Sequence, residues 1–347
     1  SPTRASKEKK QLMTTTFRIL GSGEWGLAIA YHLSENNHSV EIYGRTKSKI
    51  DTLNQNKKCK SLGVKFNDNV SFDYLSNILD KSFSTNTYNI IATSSSGFSD
   101  LIEQNKNYLS QYSSYIWLTK GLDQKSNKLF DQLLTDTFGD NIGCCTISGP
   151  SFAKDLASGE KICVSIASNS NEYLDTIEKC FVTNMFEMQK TNDLIGVQIS
   201  GIMKNVAAIL SGILTSNNYS TSDILKMIEV TKNEILEITK HIYSIRGLRV
   251  DDTEIRKTLS SPSCDGDLRL SCLNDISRNR RFGMQLKQSN SLQKLIDEIG
   301  TVEGYGMTHV LFEMLIGSDK VGPVLKTVHE ILFCEEKLED TEIINFL

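Results

Sequence analysis

FRILGSGEWGLAIA, residues 17–30, is the stretch on which the fold turns. Phe17, Ile19 and Leu20 form a short apolar run, Gly21, Gly23 and Gly26 fall at GxGxxG spacing, and Leu27, Ala28, Ile29 and Ala30 continue as helix formers. The order is strand, tight turn, helix, which is the layout of a dinucleotide-binding turn. Gly21 would allow the turn, Gly23 would let backbone amides approach a pyrophosphate, and Gly26 would let the new helix pack closely on the strand. The helix N-terminus would then present partial positive charge to the phosphates. An ordinary βα turn is the competing reading, and the flanking strand and helix weigh against it.

Outward from that turn the chain alternates short β-like runs with helical stretches. Residues 39–43 (SVEIY), 88–93 (YNIIAT), 115–118 (YIWL), 144–147 (CCTI), 162–167 (ICVSIA) and 185–188 (MFEM) read as strands. Amphipathic stretches near 25–36, 98–110, 124–137, 150–157 and 171–181 lie between them. Such alternation predicts an α/β, Rossmann-like, doubly wound parallel sheet over residues 17–191, with ligands at the carboxyl ends of the strands. From 192 to 347 strand signals stop and helical periodicity takes over, which predicts an all-helical second domain. Its helices are expected at 193–215, 222–245, 254–259, 273–287, 291–299, 304–316 and 320–334.

Composition narrows the function classes. A length of 347 residues suggests two domains, and 39% apolar with 23% charged residues suits a globular protein with ample core. The net charge of -4 gives no general reason to expect nucleic acid. The longest uninterrupted apolar runs are too short to span a bilayer. Eight cysteines lack CxxC spacing and accompany only five scattered histidines, so they read as reduced, mostly buried thiols in the cytoplasm, with no metal site expected. Residues 1–16 read as a polar tail outside the fold, with Met13 a candidate start.

The cofactor question turns on the end of the second strand. An NAD-selective site usually places Asp or Glu about 20 residues past the glycines, to accept ribose hydroxyls. Here Tyr43, Gly44, Arg45, Thr46 and Lys47 follow one another. Arg45 and Lys47 could meet a 2′-phosphate, Arg45 could stack on adenine, or both could be solvated surface cations.

Three other stretches carry polar groups. In WLTKG, residues 117–121, Lys120 stands at the carboxyl end of a strand, where a ligand would bind or where a lysine would snorkel to water. In DLIGVQISGIMKNVAAILSGI, residues 193–213, steps of three and four place Gly196, Ser200, Lys204, Ala207, Ala208 and Ser211 on one stripe. Lys204 is alone there among small residues, and a cleft suits its charge better than a tight helix contact. In GDLRLSCLNDISRNRRFG, residues 266–283, Asp267, Ser271, Arg278, Asn279, Arg280 and Arg281 offer a carboxylate, a hydroxyl, an amide and guanidiniums. Guanidinium forks and amide donors suit a phosphate dianion, whereas a basic solvated helix end is the plainer alternative.

Taken together these pieces resemble the NAD(P)-dependent glycerol-3-phosphate dehydrogenases of bacterial type. The matching segments are GSGEWGLAIA (21–30), TKG (119–121), SGPSFAKD (148–155), GVQISGIMKNVAAILSGI (196–213), GDLRLSC (266–272), SRNRRFG (277–283), VEGY (302–305) and PVLKTVHEIL (323–332). The chain departs from that pattern at Thr93-Ser94-Ser95-Ser96, at IEVTKNEIL (228–236) and at CDGDL (264–268).

The resemblance implies interconversion of dihydroxyacetone phosphate and sn-glycerol 3-phosphate by hydride transfer with NAD or NADP, supplying glycerol 3-phosphate for glycerophospholipid synthesis in a cytoplasmic homodimer. It implies Lys204, Lys120 and Asp267 as catalytic residues, and Ser271, Arg278 and Asn279 as further substrate contacts. Cofactor contacts are implied at Gly21, Gly23, Glu24, Trp25, Gly26, Tyr43, Arg45, Lys120, Ala153, Arg278 and Glu303. A dehydrogenase of the same architecture acting on another hydroxy or keto acid would not need the phosphate clamp. A non-catalytic pyridine-nucleotide sensor would be free to lose Lys120, Lys204 or Asp267, and all three are present.

Overall fold

The computed structural model describes residues 15–150, 153–289 and 291–334. Its strands are β1 (Thr16–Leu20), β2 (Ser39–Gly44), the small hairpin β3 (Lys58–Cys59) and β4 (Val64–Lys65), β5 (Val70–Tyr74), β6 (Thr87–Ile91), β7 (Ser114–Trp117), β8 (Gly143–Ser148), β9 (Ile162–Ser168) and β10 (Phe186–Thr191). Eight of them form one sheet in the order β10-β9-β8-β7-β6-β1-β2-β5. The chain winds outward from β1 in both directions, so β1 and β6 flank the switch point where an open α/β sheet forms its ligand crevice. The glycine turn leaves β1 at that point.

The sheet is parallel from β5 to β8, but β9 pairs antiparallel with β8 and parallel with β10. A wholly parallel sheet was expected. Residues 149–161 hold only the six-residue helix α6 among their described part, and the chain turns back beside β8 without a full crossover helix. The structure also adds β5, whose VSFDY alternates as a half-buried strand does, and the β3–β4 hairpin, whose two-residue strands are too short to show a pattern.

On the sheet lie α1 (Glu24–Glu35), α2 (Lys47–Asn56), α3 (Phe98–Gln104), α4 (Lys106–Leu109), α5 (Phe130–Phe138), α6 (Ala153–Ser158) and α7 (Asn171–Phe181). One face buries Phe17, Ile19, Ile29 and Phe181, and the other buries Tyr115, Trp117 and Phe130. From residue 194 onward the structure is helical: α8 (Leu194–Ser216), α9 (Thr221–Ile245), α10 (Asp252–Leu259), a π turn (Pro262–Gly266), α11 (Asp267–Leu273), α12 (Arg278–Gln285), α13 (Leu292–Ile299), α14 (Glu303–Leu315) and α15 (Pro323–Phe333).

The 23-residue α8 is the axis of this half. It is long and apolar enough to cross a membrane, although no unbroken apolar run in the sequence is. Its place is the protein core: every residue from Leu194 to Leu214 is buried except Lys204. The first turn packs on the sheet through Leu194 and Val197, and the remainder packs against the other helices through Ile202, Val206, Ile209 and Ile213. α12 lies unusually close. A Cβ added at Gly212 would stand 2.0 Å from the carbonyl oxygen of Arg280, and one at Gly283 would stand 2.0 Å from that of Ile209.

One expected helix, 273–287, is broken. α11 ends at Leu273, and α12 restarts at Arg278 with the Ser277 hydroxyl accepting from the Arg280 amide. Asn274 and Asp275 favour a turn, and Ser277 is a good N-cap, so local chemistry interrupts the periodicity.

Candidate active site

The polar residues singled out from separate stretches meet in a cleft of 210 Å³. Its lining includes Lys120, Lys204, Asp267, Ser271, Arg278, Asn279 and Glu303. Lys120 comes from the sheet side, three residues beyond β7, and crosses to the helical half. Its ammonium donates to Asp267 Oδ2 at 2.5 Å and to the Gly149 carbonyl at 2.7 Å. A Cβ on Gly201 would stand 3.6 Å from the Lys120 Cβ, so the bare helix surface there gives the side chain its bed.

Lys204 approaches the same carboxylate from α8, with Nζ 4.0 Å from Asp267 Oδ1. Asp267 itself is 2% exposed at the first residue of α11, which continues directly from the π turn Pro262–Gly266. One buried carboxylate therefore lies between two lysines from opposite walls. Burial lowers the Lys120 ammonium below its ordinary value; Asp267 opposes this, Lys204 adds to it, and Glu303 is near enough to oppose it as well. Of the two lysines, Lys120 is the tightly held one.

The arginine cluster divides. Arg278, at the first residue of α12, is exposed and makes no hydrogen bond or ion pair among the described residues. Arg280 is buried and fixed to Asp275, Ser211 and the Cys272 carbonyl, so it ties α12 to α8 and α11 and does not line the cleft. Arg281 is exposed and also outside the lining. Asn279 is buried; it donates to Asn205 Oδ1 at 2.9 Å and accepts from the Gly304 amide at 2.9 Å. It joins α8, α12 and α14 at the cleft floor, which leaves one amide hydrogen for a ligand. Ser271 stands one turn beyond Asp267 and is 6% exposed.

Asn205, Ser277 and Thr301 also line the cleft, and none was singled out from the sequence. Asn205 adjoins Lys204, and that adjacency was the available signal. Ser277 reads as a cap, which it is, so nothing in the sequence marked it as lining.

On the sheet side, the glycine turn has the shape a dinucleotide needs. Gly21 has φ +130°, and a Cβ there would stand 2.1 Å from the Ala92 carbonyl oxygen. Gly23 has an ordinary φ of -66° and nothing within 4 Å of an added Cβ, so neither backbone nor packing demands glycine there. Open space over a helix N-terminus fits an approaching pyrophosphate. Glu24 is exposed, Trp25 half-buried and Gly26 packed against Ala92.

Arg45 is exposed, has no partner among the described residues, and has Nη2 3.4 Å from where a Cβ on Gly97 would lie. It therefore sits beside the turn that follows the serine run, in which Thr119 Oγ1 donates to the Thr93 carbonyl at 2.9 Å. Tyr43 is 1% exposed and its hydroxyl donates to Glu41 at 2.6 Å. Only its backbone faces the turn, through a 2.8 Å bond from the Gly21 amide. Ala153 is the half-buried first residue of α6; Ser151 and Phe152 of the same motif lie outside the described residues. Glu303 opens α14 at the cleft.

A larger cavity of 530 Å³ lies between β10 and α10. Its cations are already neutralised: Lys190 by Asp175 and Glu178, Arg256 by Asp252, Lys257 by Glu254. The 210 Å³ cleft keeps its arginine free and its lysines inward, and it is the one suited to an anionic substrate.

Comparison with known proteins agrees with this geometry. The model of the NAD-dependent glycerol-3-phosphate dehydrogenase N-terminus matches residues 16–174, and that of the C-terminus matches residues 193–342. The chain belongs to the NAD-dependent glycerol-3-phosphate dehydrogenase family. Among its relatives, the glycerol-3-phosphate dehydrogenase [NAD(P)+] of Bartonella henselae is 31% identical, over 93% of this chain and 92% of the relative. That of Colwellia psychrerythraea is 28% identical over 91% and 92%. Among solved structures, the Coxiella burnetii glycerol-3-phosphate dehydrogenase has a TM-score of 0.79 at 24% identity, covering 95% of this chain and 97% of that one. The Saccharomyces cerevisiae enzyme gives 0.79 at 17% identity over 95% and 99%. These two likenesses establish that the family's fold, a Rossmann sheet followed by a helical half, is this chain's fold.

Proposed function

We propose that this member of the glycerol-3-phosphate dehydrogenase family interconverts dihydroxyacetone phosphate and sn-glycerol 3-phosphate with NAD or NADP, using Lys204 as acid and base. The observation that carries this reading is the buried Asp267 carboxylate held between Lys120 and Lys204, with the unpaired Arg278 guanidinium at the same cleft. A nicotinamide held here would supply a hydride to the ketone carbon, or accept one from the alcohol carbon.

The chain's own residues do the rest. Negative charge that develops on the carbonyl oxygen needs a proton donor or cation within hydrogen-bond reach. Lys204 is the one residue of the buried part of α8 that is not buried, and it holds Asp267 only loosely, at 4.0 Å. Its ammonium gives the proton in reduction, and its amine takes the hydroxyl proton in oxidation. Lys120, committed to Asp267 and the Gly149 carbonyl, acts as the fixed cation beside that oxygen. Asp267 orients both. Arg278, together with the free amide hydrogen of Asn279 and the Ser271 hydroxyl, holds the phosphate end.

The turn at Gly21 and Gly23, the N-terminus of α1 and Arg45 hold the dinucleotide, with Glu24, Trp25, Gly26, Ala153, Glu303 and the Tyr43 backbone around it. Arg45 in place of an acid supports acceptance of NADP. The product feeds glycerophospholipid synthesis. Eight free thiols support a reducing, cytoplasmic setting. A homodimer is the assembly we propose. The deciding assay follows NADH and NADPH oxidation with dihydroxyacetone phosphate against unphosphorylated dihydroxyacetone. Comparable turnover of both ketones would overturn the phosphate-clamp reading.

A further inference from the structure

We propose that His309, Glu313 and His329 form a binding site for a first-row divalent transition-metal ion such as Zn²⁺, separate from the cleft. His309 and Glu313 are one turn apart on α14, so they share a helix face, and His329 faces them from α15. One ligand atom from each residue lies within 4.8 Å of the other two.

The two imidazoles carry the argument. His309 Nδ1 and His329 Nε2 are 3.5 Å apart. That is long for an N–H···N bond but close to the roughly 3.3 Å that separates two nitrogens bound at about 2.0 Å to one tetrahedral ion. His329 is 8% exposed, and among the described residues its Nδ1 has no partner while its Nε2 has only that long approach. A buried imidazole whose Nε2 has nothing better than this long approach to another ring nitrogen calls for a partner between the two, and an ion is one such partner.

The ring is also held in place. Phe312 stacks on His329 with centroids 3.7 Å apart and planes 6° apart, and Phe333 packs against both histidines. The two exposed residues, His309 and Glu313, leave the site open for an ion to enter.

The donor set selects the ion. Two imidazoles and one carboxylate suit Zn²⁺ and its neighbours in the first transition row, with water completing the coordination, whereas Ca²⁺ and Mg²⁺ prefer all-oxygen ligands. The consequence is a clamp between α14 and α15. α14 begins at Glu303 in the cleft, and its Gly304 amide holds Asn279, so the clamp steadies one end of a helix whose other end lines the candidate active site.

The test uses the full chain, stripped with chelator, desalted, and titrated with Co²⁺ and Zn²⁺. One equivalent of Co²⁺ should bind with weak visible d–d bands and no near-ultraviolet thiolate band. The thiolate band is the check needed because Cys334 is an exposed free cysteine. Zn²⁺ at a hundredfold excess over its dissociation constant should raise Tm by roughly 4 °C. His309→Gln and Glu313→Gln are surface changes that leave the fold intact, and each should weaken binding by more than about tenfold. Absence of saturable binding at micromolar ion, a thiolate band, or undiminished affinity in both variants would overturn the site.

Discussion

At the glycine turn of the sheet half, Gly23 and Glu24 are exposed and Arg45 has no partner among the described residues, while in the cleft on the helical half Asp267 and Asn279 are buried and bonded to neighbours on other elements. The sheet half offers space, backbone amides and a free cation. The helical half offers side chains already locked in position. The difference follows from what each half must do. A pyrophosphate is met by backbone and a helix end, which need clearance. A developing oxyanion must be met by fixed charges that do not reorganise during reaction. Substitutions at Lys204 and Asp267 should therefore cost turnover, and those at Gly23 and Arg45 should cost cofactor affinity.

The largest effect expected is at Lys204. Lys204→Ala should cut turnover by about 10² to 10⁴, the usual worth of a positioned acid-base group, with dinucleotide binding nearly unchanged. Lys204→Arg should not restore it, since a guanidinium does not release a proton near neutral pH. Turnover within a few-fold of the parent, with the same pH profile, would transfer the role to Lys120.

A second buried carboxylate tests whether satisfaction by cations is what distinguishes the cleft. Glu234 of α9 is 5% exposed, has no cationic partner among the described residues, and accepts from the Val324 and Leu325 amides at the start of α15. Burial pushes its carboxyl up to about 7, against the pull of those amides. A carboxyl whose folded value exceeds its unfolded value of about 4.5 binds its proton more tightly in the folded state. Its contribution to stability is complete below about pH 4.5 and is lost as pH rises to about 7, on the order of 3 kcal/mol. In Glu234→Gln that part of the decline should vanish from urea unfolding curves taken between pH 4.5 and 7.5. An unchanged slope would mean the two amides keep the carboxylate ionised in spite of burial.

At Arg278 the expected loss is about 1.5 to 3 kcal/mol in substrate binding, the worth of hydrogen bonds to a charged group. Arg278→Ala should raise KM for the phosphorylated ketone, and Arg278→Lys should recover little because one ammonium does not replace a fork. Normal KM in the alanine variant would make the exposed guanidinium a solvated one. On the sheet half, Arg45→Ala should weaken NADPH by about 1 to 3 kcal/mol more than NADH. Equal losses would indicate stacking on adenine.

The smallest effect on the fold, and the most direct test of the comparison, is at Gly23. With φ at -66° and nothing within 4 Å of an added Cβ, Gly23→Ala should stabilise the fold slightly, by about 0.4 to 1 kcal/mol, in thermal unfolding. The same variant should bind both dinucleotides more weakly, because the methyl group occupies space kept for the pyrophosphate. Unchanged affinity would mean that the open space above α1 has another cause.

The sequence by itself determined the glycine turn, the alternation that builds the sheet, the change to helices after β10, and the charge and hydrogen-bonding type of Lys120, Lys204, Asp267 and Arg278. Those are local properties: spacing sets helix and strand faces, and side-chain type sets charge and donor count. Only the tertiary structure decided that Arg280 is a buried tie while Arg278 is free, since residues two apart on a helix point about 200° apart and the docking of α12 on α8 chooses between them. It also decided that Asn279 braces three helices, that the Tyr43 hydroxyl turns to Glu41, and that β9 runs against β8. His309, Glu313 and His329 meet for the same reason. Twenty residues separate the two histidines in the chain, and no periodicity connects them. Packing of α15 on α14 does, and packing depends on long-range contacts that a pattern of neighbours does not encode.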